Sequence, residues 1–439
     1  MLSNRKRPEK TPPQVRVKSD RVQQVRSYRL ITPLYGGGAK PQQPDEVTVV
    51  RASEIRGLLR FWWRATRGGQ FGGSLDAMRC AEAAIWGAAA GDGKAGPSLV
   101  SLHVRVTNHG REISKVKNNK GKWVNIGDPV SPYGYVAFPL RESKGGSKGS
   151  VWEGVEFDLH ITLNAATVRV NGRELNVQEE VEAALWAWET FGGVGARTRR
   201  GFGALQLTKV DGRTVTEPTM EEIRRSIRKG LSENGYVKGS QWPDGVPHLH
   251  STMMWVITTR RNDAERAWKD LFGALKQFRQ ARYPDRRNRP YGRSKWPEPD
   301  AIRRLTNTHS PGHNPQHPVT NKFPRGRFGL PIIFQFKDEG NGDPPKTRLE
   351  GSEHDRFASR LILRPLACQG GAVGLACVLE GPHDPPGGYV LREQSSGRVL
   401  AQPQVTLRDS EARQIQPLNG EPDVLKAFMK TLGWKEKEG

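Results

Sequence analysis

An α+β fold of two tandem ferredoxin-like (RRM-like) domains with basic loop insertions is predicted by three observations. The first half runs strand, doubled helix, strand, strand, helix, strand. A similar order of strands and helices resumes after about residue 248, without a detectable internal sequence repeat. Glycine–arginine–aromatic loops stand just before strands in both halves, at Arg199–Gly203 and Arg325–Gly329. The length of 439 residues also exceeds one ordinary core, which favours two domains.

The elements of the first half follow from local pattern. Residues 25–31 alternate as a strand, and Thr32-Pro-Leu-Tyr-Gly-Gly-Gly38 opens a glycine-rich loop. Ser53 can cap a helix reaching about Arg67, with Ile55, Leu58, Leu59 and Trp62 as its apolar stripe. Trp62 and Trp63 read as core. Arg56, Arg60, Arg64 and Arg67 form a second stripe, in which each like-charged i,i+4 pair costs ~0.2–0.5 kcal/mol. Carboxylates from elsewhere in the fold, or phosphates, must compensate it. A second helix is expected from Ser74 to about Ala90, and strands at 98–107 and 155–163. Lysine-rich loops at 111–122 and 142–149 are either RNA-facing or plain solvated surface. Asn176 and Glu179 can form a capping box for a helix ending at Gly192, and residues 204–208 alternate as a strand.

The loop joining that helix to that strand, Phe191-Gly-Gly-Val-Gly-Ala-Arg-Thr-Arg-Arg-Gly-Phe-Gly-Ala204, is the main candidate site. Glycines such as Gly193 and Gly195 let a ligand approach the backbone N–H groups of Val194 to Thr198. Arg197, Arg199 and Arg200 supply planar cationic forks for phosphate, and Phe202 a face for a base. A flexible, solvated connection is the alternative. Walker and dinucleotide phosphate loops run strand to helix and carry fingerprints missing here, which excludes NTPase and dehydrogenase readings.

Beyond the first domain, taken as 23–210, a helical linker is expected over 211–247 and a divergent second domain over 248–439. Residues 1–22 read as a mobile basic arm, or as a tag. Within the second domain, Arg279, Arg282, Arg286, Arg287, Arg289, Arg293, Lys295, Arg303 and Arg304 interleave with Tyr283, Tyr291 and Trp296. Prolines argue against regular structure there, and basic residues among aromatics suit single-stranded RNA. Arg325 and Arg327 repeat the loop recipe of the first half.

Composition points the same way. Sixty-nine Lys and Arg against 46 Asp and Glu give a formal charge of +23, which a polyanion would neutralise. Cys80, Cys368 and Cys377 form no disulfide or ligand framework, and no apolar run reaches the ~18 residues of a membrane span, so a cytoplasmic protein without membrane partners is expected. His309, His313 and His317 have the i,i+4 spacing of helical metal ligands. Pro311, Gly312 and Pro315 break any helix there, so a solvated loop is expected and no metal or cofactor.

Three segments resemble the repeat-associated mysterious protein (RAMP) superfamily: Ile31-Thr-Pro-Leu-Tyr-Gly-Gly-Gly, Glu54-Ile-Arg-Gly-Leu-Leu-Arg-Phe-Trp-Trp-Arg, and the loop from Phe191. The second is the most specific and is similar to the tandem-domain RAMP subunit of the type III-B CRISPR (Cmr) effector. The resemblance spans about residues 25–210 and thins beyond 250. It implies two ferredoxin-like domains, no catalytic site, and other RAMP subunits as partners in a ribonucleoprotein. The subunit would hold the 3′ part of a guide RNA (crRNA) and help capture complementary target RNA. Motif match places RNA-facing positions on Arg56, Arg60, Arg64 and Gly193 to Arg200. A metal-independent RAMP endoribonuclease with a histidine acid–base is the alternative, although the first helix offers arginines where that class carries its histidine.

Overall fold

The computed structural model describes residues 21–36, 38, 45, 47–89, 96–141, 149–233, 235–239, 241–285, 287–289, 292–339 and 341–436. The basic arm up to residue 20, the loop 142–148, Arg286 and Tyr291 lie outside them.

The first half contains β1 (Val22–Leu30), α1 (Ala52–Arg67), α2 (Leu75–Trp86), β2 (Val100–Asn108), β3 (Glu156–Leu163), α3 (Val177–Phe191), β4 (Leu205–Val210) and the short β5 (Arg213–Thr214). The sheet is antiparallel in the order β5-β4-β1-β3-β2, so the four main strands lie fourth, first, third, second. That is the order of the split βαβ pattern. One face carries α1 and α3, whose contact includes Trp62 against Phe191 at 6.0 Å. Tyr28, Leu30, Phe157 and Leu159 rise from the strands into the same core.

Capping differs in detail from expectation. Arg51, not Ser53, precedes α1 and gives no side-chain cap. Ser74 caps α2 through the Ala77 N–H. Asn176 accepts from Gln178 and Glu179 N–H, while the Glu179 carboxylate faces Arg67 and Lys238 instead of closing a box.

A linker helix, α4 (Met220–Ser232), carries a capping box between Thr219 and Glu222. The second domain begins with β6 (Trp255–Ile257) and α5 (Ala264–Arg279). Helix α6 (Glu298–Thr306) follows inside the segment whose prolines argued against regular structure. Pro297 and Pro299 sit at its start, where a missing N–H costs nothing. Strands β7 (Ile332–Phe334), β8 (Thr347–Gly351), β9 (Leu361–Cys368), β10 (Gly371–Val378), β11 (Tyr389–Glu393) and β12 (Val399–Ala401) precede the last helix, α7 (Val424–Thr431).

These strands form two sheets. One is β6-β10-β9, which are the first, third and second strands of a βαββα order; the other is β7-β8-β11-β12. A fourth strand beside β6 is absent among the described residues. The second half therefore departs from a full copy of the first.

The two halves are joined by an exchange of arginines. Arg364 of β9, fully buried, donates to the carbonyls of Glu189 and Gly192 at the end of α3, and to Leu205 of β4, at 2.6–2.9 Å. The first two are acceptors at a helix C-terminus, which lack intrahelical donors, and a cation is favourable there. Replacing Arg364 by Leu strands three buried carbonyls and is expected to lower the unfolding free energy by about 3 kcal/mol or more in urea titration, with Lys recovering part of it.

Candidate nucleic-acid interface

The glycine–arginine loop forms the return half of that exchange. Thr198–Arg200 make a single 3-10 turn, entered through Arg197 at φ 59°. Arg199 donates to the Ser359 carbonyl, and Arg200 donates to Leu361 at 2.8 Å and Phe328 at 3.0 Å. Both side chains thus bond the chain at the entry to β9. The indole N–H of Trp268 on α5 donates to the Arg200 carbonyl at 2.6 Å.

Glycine is needed here for close approach. A Cβ on Gly201, at φ 85°, would stand 2.4 Å from Trp268 Nε1, and one on Gly203 would stand 1.9 Å from the Val194 carbonyl oxygen. The loop's N–H groups are also largely spoken for: Val194 donates to Gly203, Gly195 to the Glu54 carboxylate, Ala196 to Tyr35 and Gly203 to Pro33. The expected phosphate cradle is thus filled by the chain's own oxygens.

Phe202 is fully buried against Tyr35 and Trp268, so it offers no face to a base. Arg67 is buried on Glu180, which also accepts from Trp63 and Gln70. Arg60 and Arg64 share Glu82 of α2 and remain about one-third exposed. Carboxylates from elsewhere in the fold therefore compensate three of the four stripe arginines. Arg56 is half-exposed without an ion pair among the described residues.

The second basic segment divides similarly. Trp296 is core, its N–H donating to Phe278 at 2.9 Å, which corrects its expected stacking role. Arg293 pairs with Asp300, Arg325 with buried Glu298, and Arg327 with Asp384, so these three are structural. Arg282–Asp285 and Gly292–Ser294 lie side by side, held by Tyr283 N–H to Arg293 and Gly292 N–H to Tyr283. Arg282, Tyr283 (45%) and Arg287 are exposed, and Arg289 sits on Asp285 at 2.7 Å.

One group of cations lacks carboxylates. Arg197 lies over the half-exposed ring of Phe138 at 4.9 Å, with its buried Nε unpartnered. Arg279, whose Nε is likewise buried and unpartnered, donates to the Tyr135 hydroxyl at 3.1 Å and covers Phe328. Burial first, and then repulsion from Arg279, pushes Arg197 below the ordinary arginine value. Burial, followed by Arg279 and then Arg197 and Arg199, drives Arg200 to about 9. Arg282, although its side chain reaches solvent, is held below the ordinary arginine value by partial burial and then by Arg325 and Arg303.

The sign of the linkage is informative. Between about 9 and the ordinary arginine value the unfolded chain binds the Arg200 proton and the folded chain does not. The group thus weakens folding at neutral pH, and that penalty is relieved as pH rises through about 9, or by an anion brought close at neutral pH.

Sequence reasoning passed over the segment 126–140. Ile126, Tyr133, Val136 and Leu140 pack with Tyr35, Phe202, Trp268 and Phe272, and the Tyr133 hydroxyl donates to Glu265. This insertion of the first domain bridges to α5 and presents Phe138. The run Ser131-Pro-Tyr-Gly-Tyr135 was the available signal, two aromatics on a tight turn. Trp123, 65% exposed beneath Lys117 on the lysine-rich hairpin, is a second aromatic that was missed.

The histidines are only partly as expected. His317 is buried, with Nδ1 accepting from Val319 N–H, and burial lowers its pKa. His313, Asp338 and Asp343 bring one ligand atom each within 4.8 Å. Asp343 already accepts from Arg303, the Ser310 N–H and His313, so an ion there would compete with a complete set of donors.

A family model for the RAMP superfamily matches residues 27–206. That match spans β1 to the start of β4, including α1 and the glycine–arginine loop. CRISPR system Cmr subunit Cmr1-2 of Pyrococcus furiosus is 25% identical over 179 residues, covering 40% of this chain and 90% of that protein. Subunit Cmr1-1 of the same organism is 23% identical over 213 residues, covering 44% of this chain and 53% of that one. Among solved structures, apo Cmr1 of Pyrococcus furiosus aligns with a TM-score of 0.47 and 17% identity over 90% of this chain and 96% of its own. A chain of the type III-B Cmr-beta complex bound to cognate target RNA aligns at 0.45 and 13% over 93% and 99%. No described helix is long and apolar enough to cross a membrane.

Because the loop arginines hold carbonyls of the second domain, Arg199→Ala and Arg200→Ala are each expected to cost ~1–3 kcal/mol in urea unfolding before any RNA is added.

Proposed function

We propose that this chain is a non-catalytic RNA-binding subunit of a type III-B CRISPR ribonucleoprotein, one that holds the 3′ part of the guide RNA and helps capture complementary target RNA beside other RAMP subunits. The observation that carries the reading is a cationic cluster where the loop meets the second half. Arg197 and Arg279 stand there with buried, unpartnered Nε atoms, beside Arg199 and Arg200, and none of the four is ion-paired among the described residues.

A phosphodiester is the anion this cluster suits. Its charge offsets the repulsion that depresses the arginines. Phe138, more than half exposed beside Arg197, and the exposed Tyr283 are available for stacking. Arg56 and the exposed Arg282 and Arg287 would extend the track along the phosphates without reading bases. Family resemblance and the similarity to Cmr subunits supply the biological setting.

Binding of end-labelled single-stranded RNA carrying a guide 3′ end, measured across salt concentrations, tests the cluster. Arg197→Ala and Arg279→Ala are each expected to weaken binding about tenfold and to reduce the salt slope by about 0.7, the value for one contact to a single strand. Unchanged affinity and slope would contradict the proposal. A denaturing gel of the same samples, in magnesium and in EDTA, should show intact RNA; discrete cuts abolished by a histidine substitution would install the guide-processing nuclease instead.

A further inference from the structure

The second domain has an open place in its main sheet. In the first domain β1 lies between β3 and β4, whereas in the second β6 has β10 on one side and no strand on the other. Met254 accepts from Val378, and Thr258 N–H donates to Gly374. Alternation in an antiparallel ladder therefore turns the N–H and C=O groups of Trp255 and Ile257 towards the empty side. A cleft of about 400 Å³ lies there, lined by Trp255 to Thr259, by Arg224 and Arg228 of α4, and by Leu432 and Gly433 at the end of α7.

In the first domain the chain leaving α3 runs on to β4, which fills the corresponding edge. After α7 the chain turns away: Trp434 N–H donates to Met429, and Glu436 pairs with Lys426. The opposite edge of this sheet, β9, faces the glycine–arginine loop, which bonds Leu361 through Arg200 and packs Gly201 against the Leu363 carbonyl. Among the described residues the β6 edge is left as a template, and unprotected edges recruit strands.

We propose that the β6 edge is a docking site for an extended, acidic segment of a partner protein, which adds as the missing fourth strand antiparallel to β6. A strand satisfies donors and acceptors alternately along the edge, whereas a nucleic-acid backbone offers acceptors to the N–H groups and leaves the carbonyls bare. Arg224 and Arg228 set the charge. Their shared carboxylate, Glu221, stands 3.5 Å from each and leaves one positive charge in excess at the cleft. The site is independent of the cationic cluster.

The test uses the full chain extended after Gly439 by a Gly-Ser linker and an alternating Val-Glu strand, so that a high effective concentration replaces unknown affinity. Amide hydrogen exchange is read at Trp255 and Ile257. The extension is expected to slow both amides at least tenfold. A Val-Lys version should protect less, a version with proline at alternate positions not at all, and R224E/R228E should abolish the preference for the acidic strand. Absence of slowing, or equal slowing by the proline version, would overturn the proposal. Protection of the same amides in the unextended chain by oligouridylate would overturn it in favour of a nucleic-acid surface.

Discussion

The structure depends on a reciprocal exchange of arginines for carbonyls between its halves. Arg364 reaches out of the second sheet to the end of α3, and Arg199 and Arg200 reach out of the loop to the edge of β9. Each guanidinium is planar and multiply donating, so it can serve several backbone oxygens at once where lysine would serve fewer. Trp268 locks the arrangement from α5 by bonding the Arg200 carbonyl and filling the space a side chain at Gly201 would need. The glycine–arginine loop is thereby the joint between the two halves.

That joint creates the functional surface by what it leaves unsatisfied. Bringing Arg197, Arg199, Arg200 and Arg279 together without carboxylates concentrates positive charge in a partly desolvated cluster. Elsewhere the same residue type is neutralised locally, as in Arg67 on Glu180 and Arg325 on Glu298. The contrast separates arginines that build the protein from those available to a polyanion. It also explains how a chain with a formal charge of +23 can fold with a buried cationic group: carboxylates are spent within the cores, and the excess collects at the cluster and the exposed tips.

Much of the first domain was legible because hydrophobic period and end signals agreed. Strand alternation in β1 and β3, the apolar stripe of α1, and Gly192 after α3 all fell where the pattern put them. The second domain was less legible, since α6 lies in a proline-bearing basic run and the β7-β8-β11-β12 sheet interrupts the order. The candidate site was found in position but misjudged in role. Glycine with arginine reads equally as a phosphate loop or as a tight joint, and only the partner across the interface, the β9 edge, decides between them. Phe202 and Trp296 show the same limit: an aromatic beside arginines can be a stacking platform or core, and burial by distant elements settles it. Phe138 and Trp123, the exposed rings, were passed over because no periodic pattern surrounds them.

Photocrosslinking of single-stranded RNA containing 4-thiouridine, followed by peptide mapping, tests the division between joint and cationic cluster most directly. Crosslinks are expected on the peptides carrying Phe138, Tyr135 and Tyr283, with Phe202, Trp268 and Trp296 untouched. Crosslinks to Phe202 or Trp268 would mean that the joint opens to admit RNA, and would contradict the structural role assigned to the glycine–arginine loop.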